Sequence, residues 1–197
     1  MKMILFCISI FLCVSQANGG EIMATAEDVI RIMDLKPLPE EGGYYRETYR
    51  SNYGRNTAQT FGTGGASERD LSTAIYYLVS EGSFSAIHRI TSDEIFHFYS
   101  GDPIEMLQID ENGKMTITIM GSDVLNGEVP QVVVPRGVWQ ALRLVDGGKW
   151  ALLGTTVSPG FEFEDFEVGT RKQMLEAFPQ HRENIIRFTR DEHEKAH

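Results

Sequence analysis

His88 and Glu94, six residues apart, are the residues of this chain best suited to move a proton. His88 alternates with Ala86 and Ile90 along the apolar run 84–90 (FSAIHRI). Glu94 follows Thr91-Ser92-Asp93 at the start of the run 95–99 (IFHFY). A histidine beside a carboxylate suits general-base work near neutral pH, with the acid orienting the ring and stabilising its charged form. The bland alternatives are a hydrogen-bonded core histidine and a solvated turn acid. Tyr76, in TAIYYLV, is a candidate proton donor opposite His88, because a base and a phenol flanking one carbon make an epimerase; its other fate is plain packing. Arg46 and Tyr44, on the strand after Gly42-Gly43 with Tyr45 and Glu47, are candidate substrate contacts; Arg46 offers a planar donor fork for a carboxylate or phosphate, or else pairs with Glu47 or another acid. Phe161, Phe163 and Phe166 alternate with acids in FEFEDFE, the pattern of an amphipathic edge strand at a pocket rim or a subunit seam. His97 is a further ligand-binding candidate, although three residues along a strand from Glu94 turns a side chain to the other face. Trp139 and Trp150 read as core or interface. His181, His193 and His197 are spread over a polar C-terminal segment and read as solvated.

These residues must be positioned by strands. Short β-branched and aromatic runs fall at 71–79, 84–90, 95–99, 103–109, 115–120, 131–134, 138–145 and 149–157. Asn112-Gly113, Asn126-Gly127 and Gly147-Gly148 punctuate them with residues that tolerate the positive φ of tight hairpins. Strands at near-even spacing with no helices between them predict a sandwich or barrel, all-β, and exclude a parallel βαβ fold. Helices flank the strands. Thr25-Ala26-Glu27-Asp28 opens one that Lys36-Pro37 ends, and two more follow at 171–178 and 180–190, broken at Pro179. The stretch 52–70, rich in Gly, Thr, Ser and Asn, reads as a long exposed loop.

Composition narrows the function classes. Eighteen Lys and Arg face 28 Asp and Glu, a net charge of −10, which argues against a nucleic-acid backbone or an anionic membrane as partner. The N-terminus reads as a secretory signal peptide over residues 1–17: Lys2, an apolar stretch from Met3 to Val14, then Ser15-Gln16-Ala17 before the cut. The mature domain, 18–197, is then a secreted one without cysteine, since Cys7 and Cys13 both lie in the leader. No disulfide, cysteine nucleophile or thiolate metal site follows.

The spacing around His88 also carries a resemblance. Gly82, five residues, His88, then Glu94 and Gly101 resemble the first cupin motif, and Pro135-Arg136-Gly137-Val138-Trp139-Gln140 echoes the second. The runs PEEGGYYRETYR, TAIYYLV, HRITSDEIFHFYSGDPIEMLQI, VVVPRGVWQA and VSPGFEFEDFE resemble one branch, the fifth cupin family, in order over roughly Thr25 to Pro179. The resemblance implies a double-stranded β-helix, or jelly-roll barrel, with His88 and Glu94 pointing into an interior pocket, and usually a homodimer. Metal-binding cupins use two histidines, a glutamate and a later histidine; here Ile90 and Gln140 replace two of these. One nitrogen and one carboxylate make a poor site for zinc or ferrous iron, so the expectation is no metal and no cofactor. Gln140 then serves a polar ligand by hydrogen bonding. By similarity to sugar epimerases and isomerases, the expected activity is isomerisation of a sugar-like, carbonyl-bearing small molecule. The alternatives are a non-catalytic binder of a sugar- or nucleotide-like ligand, and a metal-dependent oxygenase in which Gln140 or His97 completes the site.

Overall fold

The computed structural model describes residues 24–51 and 69–191, so residues 1–17, read above as a leader, with Cys7 and Cys13, residues 52–68 of the long loop, and His193 and His197 lie outside the described residues. The chain runs α1 (Ala26–Ile32), β1 (Lys36–Pro37), β2 (Tyr44–Arg50), β3 (Thr73–Ser80), β4 (Ser85–Arg89), β5 (Asp93–Gly101), β6 (Ile104–Ile109), β7 (Met115–Met120), β8 (Gln131–Val134), β9 (Trp139–Leu144), β10 (Trp150–Ser158), β11 (Glu167–Val168), α2 (Arg171–Ala177) and α3 (Arg182–Arg187). The strands form two antiparallel sheets, one of six strands ordered β1-β2-β3-β10-β5-β8 and one of five ordered β11-β4-β9-β6-β7. This is the jelly roll, all-β with flanking helices.

Alternation explains why these runs face one another. Tyr77 and Val79 of β3, Phe96 of β5, Met106 of β6, Leu142 of β9 and Leu153 of β10 are buried between the sheets. A second cluster, of Ile87, Leu107, Ile109 and Trp139 with Met174, Ile185 and Phe188, lies where α2 and α3 cover the five-stranded sheet. α1 begins with a capping box, in which the Thr25 hydroxyl accepts from the Asp28 amide and the Asp28 carboxylate reaches back to Thr25. No helix among the described residues is long and apolar enough to cross a membrane.

Three local expectations are corrected. Asn112-Gly113 closes the β6–β7 hairpin, but Asn126-Gly127 and Gly147-Gly148 lead from one sheet to the other and close no hairpin. FEFEDFE is not a strand: a 3₁₀ turn at Phe163–Asp165 precedes the short β11. Its acids are tied to arginines on separate segments, Glu162 to Arg50, Asp165 to Arg69 and Glu167 to Arg89, and the chain turns to reach them. His181 is not simply solvated, since its Nε2 lies 2.8 Å from the Gly113 carbonyl at the hairpin tip.

Candidate functional site

β4 and β9 pair so that His88 stands directly opposite Gln140 in the five-stranded sheet. Glu94 belongs to the other sheet, on β5 between Val157 of β10 and Val134 of β8. The sheets face each other, and the three side chains meet inside the barrel. All are buried: His88 is 3% exposed, Glu94 7% and Gln140 1%.

The Gln140 amide nitrogen lies 2.7 Å from Glu94 Oε2 and 3.2 Å from His88 Nε2. His88 Nδ1 lies 2.8 Å from the Ala86 carbonyl, which can only accept. Nδ1 therefore carries the proton, and Nε2 presents its lone pair to the Gln140 amide. The sequence gives Glu94 the task of fixing this tautomer; the structure gives it to the Ala86 backbone, with Gln140 between the acid and the ring. Burial pushes the Glu94 carboxyl above its ordinary value, against the opposing pull of His88, the Gln140 amide and Thr155. Gln140 Oε1 is buried with no hydrogen-bond partner among the described residues.

A cavity of about 460 Å³ opens over this trio, lined by His88 and Glu94 and also by Leu38, Glu40, Glu41, Tyr45, Arg50, Ile75, Phe161, Phe163 and Phe166. Phe166 packs against the His88 ring at 5.1 Å between centroids.

Glu41 is the residue that sequence reading misses. Its Oε2 lies 3.9 Å from His88 Nε2, and its Oε1 accepts from the Ser85 hydroxyl at 2.7 Å. Gly42 and Gly43 hold it there, with φ of +98° and +72°. A Cβ on Gly42 would come within 2.5 Å of the Phe84 carbonyl, and one on Gly43 within 2.7 Å of the Tyr77 hydroxyl, which itself donates to the Gly42 carbonyl. The signal was present: an acid immediately before two glycines, inside one of the runs that carried the resemblance.

Other candidates stand elsewhere. Tyr76 pairs with Arg46 on β2 and Gly154 on β10, and Gly154 pairs with His97 on β5. Directly paired residues share a face, and this is the outer one, since Tyr77 and Phe96 alternate with them into the core. Tyr76 therefore does not oppose His88; its ring lies edge-on to Tyr99 at 6.0 Å, under the Arg46 guanidinium at 5.5 Å. Tyr44, two residues before Arg46, shares that face, and His97 lies 3.1 Å from the Gln131 amide there. None of Tyr44, Arg46, Tyr76 and His97 lines the cavity, whereas Phe161 and Phe163 do.

The cupin metal does not fit this donor set. Ile90 offers no ligand atom, the Gln140 amide nitrogen occupies both the His88 and Glu94 atoms that would bind, and among the described residues no three His, Cys, Asp or Glu side chains are grouped to hold a metal ion.

A jelly roll whose interior cavity is lined by the first-motif residues His88 and Glu94 from facing sheets, with second-motif Gln140 bonded to both, defines the class, a cupin. Within it, the chain belongs to the family described as "Cupin superfamily (DUF985)", which it matches over residues 27–169. It is 33% identical over 132 residues to "Uncharacterized protein YML079W" of Saccharomyces cerevisiae, an alignment that takes in 64% of this chain and 66%, just under two thirds, of the yeast protein. It is also similar to the crystal structure of protein SO0799 from Shewanella oneidensis, with TM-score 0.76 and 34% identity over 86% of this chain and 100% of that one. A hypothetical protein from Leishmania major is similar too, with TM-score 0.76 and 32% identity over 85% of this chain and 100% of that one.

Proposed function

We propose that the protein is a secreted, metal-independent isomerase or epimerase of a small carbonyl-bearing, sugar-like substrate, acting as a homodimer. The observation that carries the reading is the His88 ring. Its Nδ1 proton is locked on the Ala86 carbonyl and its basic Nε2 sits between Gln140 and Glu41 at the cavity wall. In this mechanism Nε2 removes a proton from the carbon beside the carbonyl. The imidazolium so formed is stabilised by Glu41, 3.9 Å away. Glu94, held protonated more readily by its burial, returns a proton to the substrate, the role that Tyr76 is too distant to fill. The leader at 1–17 supports secretion.

The test is exchange with solvent. The protein is incubated in D2O with a panel of aldoses, ketoses and amino sugars, and deuterium at the carbon beside the carbonyl is read by NMR. The expected result is incorporation into at least one panel member, abolished in His88→Asn with the circular dichroism spectrum unchanged. Incorporation that survives His88→Asn, or none with the wild-type protein, removes this mechanism. Ligand binding without exchange leaves the non-catalytic binder in its place.

A further inference from the structure

We infer that the ligand of this cavity carries a positive charge beside an apolar or aromatic group, as an amine or quaternary ammonium does, and is not a phosphate or carboxylate; the inference rests on the cavity being the functional site. Three carboxylates, Glu40, Glu41 and Glu47, line it beside the Glu94 carboxyl, against Arg50 as the arginine or lysine lining it among the described residues. Arg50 has no donor to offer. Its Nε and one terminal nitrogen grip the two Glu47 oxygens at 3.1 and 2.8 Å, that nitrogen also meets the Phe161 carbonyl at 3.1 Å, and the other terminal nitrogen serves Asp70 at 3.3 Å and Glu162 at 2.8 Å. All five N–H groups of the guanidinium are thereby engaged. The neighbouring Arg69 and Arg190 do not line the cavity; Arg69 holds Asp165, and Arg190 donates to the carbonyls of Glu40, Glu41 and Phe84. An anion entering here meets carboxylates and, among the described residues, no guanidinium with a donor to spare.

The rim supplies what a cation needs. The Phe161 ring stands edge-on to Phe163 at 5.2 Å and 76°, and to Phe166 at 6.5 Å and 75°. Rings set perpendicular present their negative faces from different directions, the arrangement that holds an ammonium. Phe163 is 62% exposed, so its ring is within reach of a ligand entering the cavity. Glu41 completes the environment as a counter-charge, its carboxylate held at the cavity wall by the Ser85 hydroxyl at 2.7 Å.

The full-length protein is titrated calorimetrically at low salt and pH 7 with three matched probes: 2-phenylethylamine, 2-phenylethanol and 3-phenylpropionate. The amine is expected to bind about tenfold more tightly than the alcohol, a margin typical of a desolvated cation–π site with a counter-charge, and the acid not measurably. Phe163→Ala, at an exposed position, weakens the amine about fivefold or more. Glu47→Gln frees Arg50 donors, and so weakens the amine and brings the acid into measurable range. Equal or tighter binding of the acid by the wild-type protein overturns the inference. So does amine binding indifferent to both substitutions, or no binding by any probe. Because these readouts need no turnover, they stand or fall separately from the deuterium-exchange test.

Discussion

Glu94 is a carboxyl that the fold makes easier to protonate, and that has a measurable consequence. Burial raises its folded-state value above the ordinary 4.5, so between that value and the raised one the native state holds a proton that the unfolded chain has lost. A native state that binds more protons loses stability as pH rises. The Glu94 contribution is therefore fully present at acid pH and falls away from about 4.5 upward through the folded value. In Glu94→Gln this term is gone. Urea denaturation between pH 4 and 8 is expected to show the variant gaining on the wild type as pH rises; a gap that is constant or closes in the other direction contradicts the assignment. Asp165 acts with the opposite sign. Although burial pulls it upward, hydrogen bonds from Arg69 and Thr91 hold it below its ordinary value, so its contribution is lost at pH below that range. The Asp165 effect falls below its ordinary value of 3.8, outside the pH 4 to 8 range in which Glu94 is read, so it does not confuse the comparison.

At the scale of elements, the C-terminal helices do more than cover a sheet. Phe188, Ile185 and Met174 are fully buried against Ile87, the residue next to His88 on β4. The Ile87 amide donates to the Phe188 carbonyl at 2.9 Å, and the Gly169 amide donates to the Ile87 carbonyl at 2.8 Å. Both backbone groups of the residue before His88 are thus fixed by the segment that leads into and out of α2 and α3, which sets the direction of the imidazole. Phe188→Ala is expected to lower the unfolding free energy by about 3–5 kcal/mol, the usual result of emptying a buried phenylalanine site. Leu125→Ala, at a side chain 94% exposed, is expected to change it by less than about 0.5 kcal/mol. Equilibrium denaturation of the two variants checks the contrast; similar effects at both positions would mean that the helices are not part of the cooperative core.

For the whole molecule, the outer face of the six-stranded sheet is the surface on which the homodimer is proposed. Tyr49, Tyr99 and Val133 are each more than half exposed there, beside Tyr76 and Arg46. Apolar side chains gathered on one sheet face mark a surface that is covered in the working assembly. Sedimentation equilibrium is expected to give twice the chain mass, and a Tyr99→Asp, Val133→Asp double variant to give the single mass with an unchanged circular dichroism spectrum. A wild-type monomer, or a variant that stays dimeric, excludes this face. Tyr44, Arg46 and His97, chosen from the sequence as ligand contacts, and Tyr76, chosen as a proton donor, sit on this same face, and the proposed assembly gives them a different task.

The sequence by itself determined the strands from β3 to β10, because alternation and β-branched residues are local properties: 115–120 and 131–134 coincide with β7 and β8, and the other six differ only at their ends. It also determined that His88, Glu94 and Gln140 belong together, since motif spacing encodes which strands carry them. Face was legible only in part. Alternation along β5 turned His97 away from Glu94, but no pattern within β3 says whether Tyr76 or Tyr77 points inward; the partner strands decide that, and Tyr77 is the buried one. The Asn-Gly and Gly-Gly pairs marked turns without telling whether a turn stays in its sheet or crosses to the other. Glu41 needed the tertiary structure entirely. It precedes His88 by 47 residues, and only the Gly42-Gly43 approach to β3 and the packing of one sheet over the other bring its carboxylate to the imidazole. A strand is written in the spacing of neighbours along the chain, whereas a site between two sheets is written in distances that no local spacing contains.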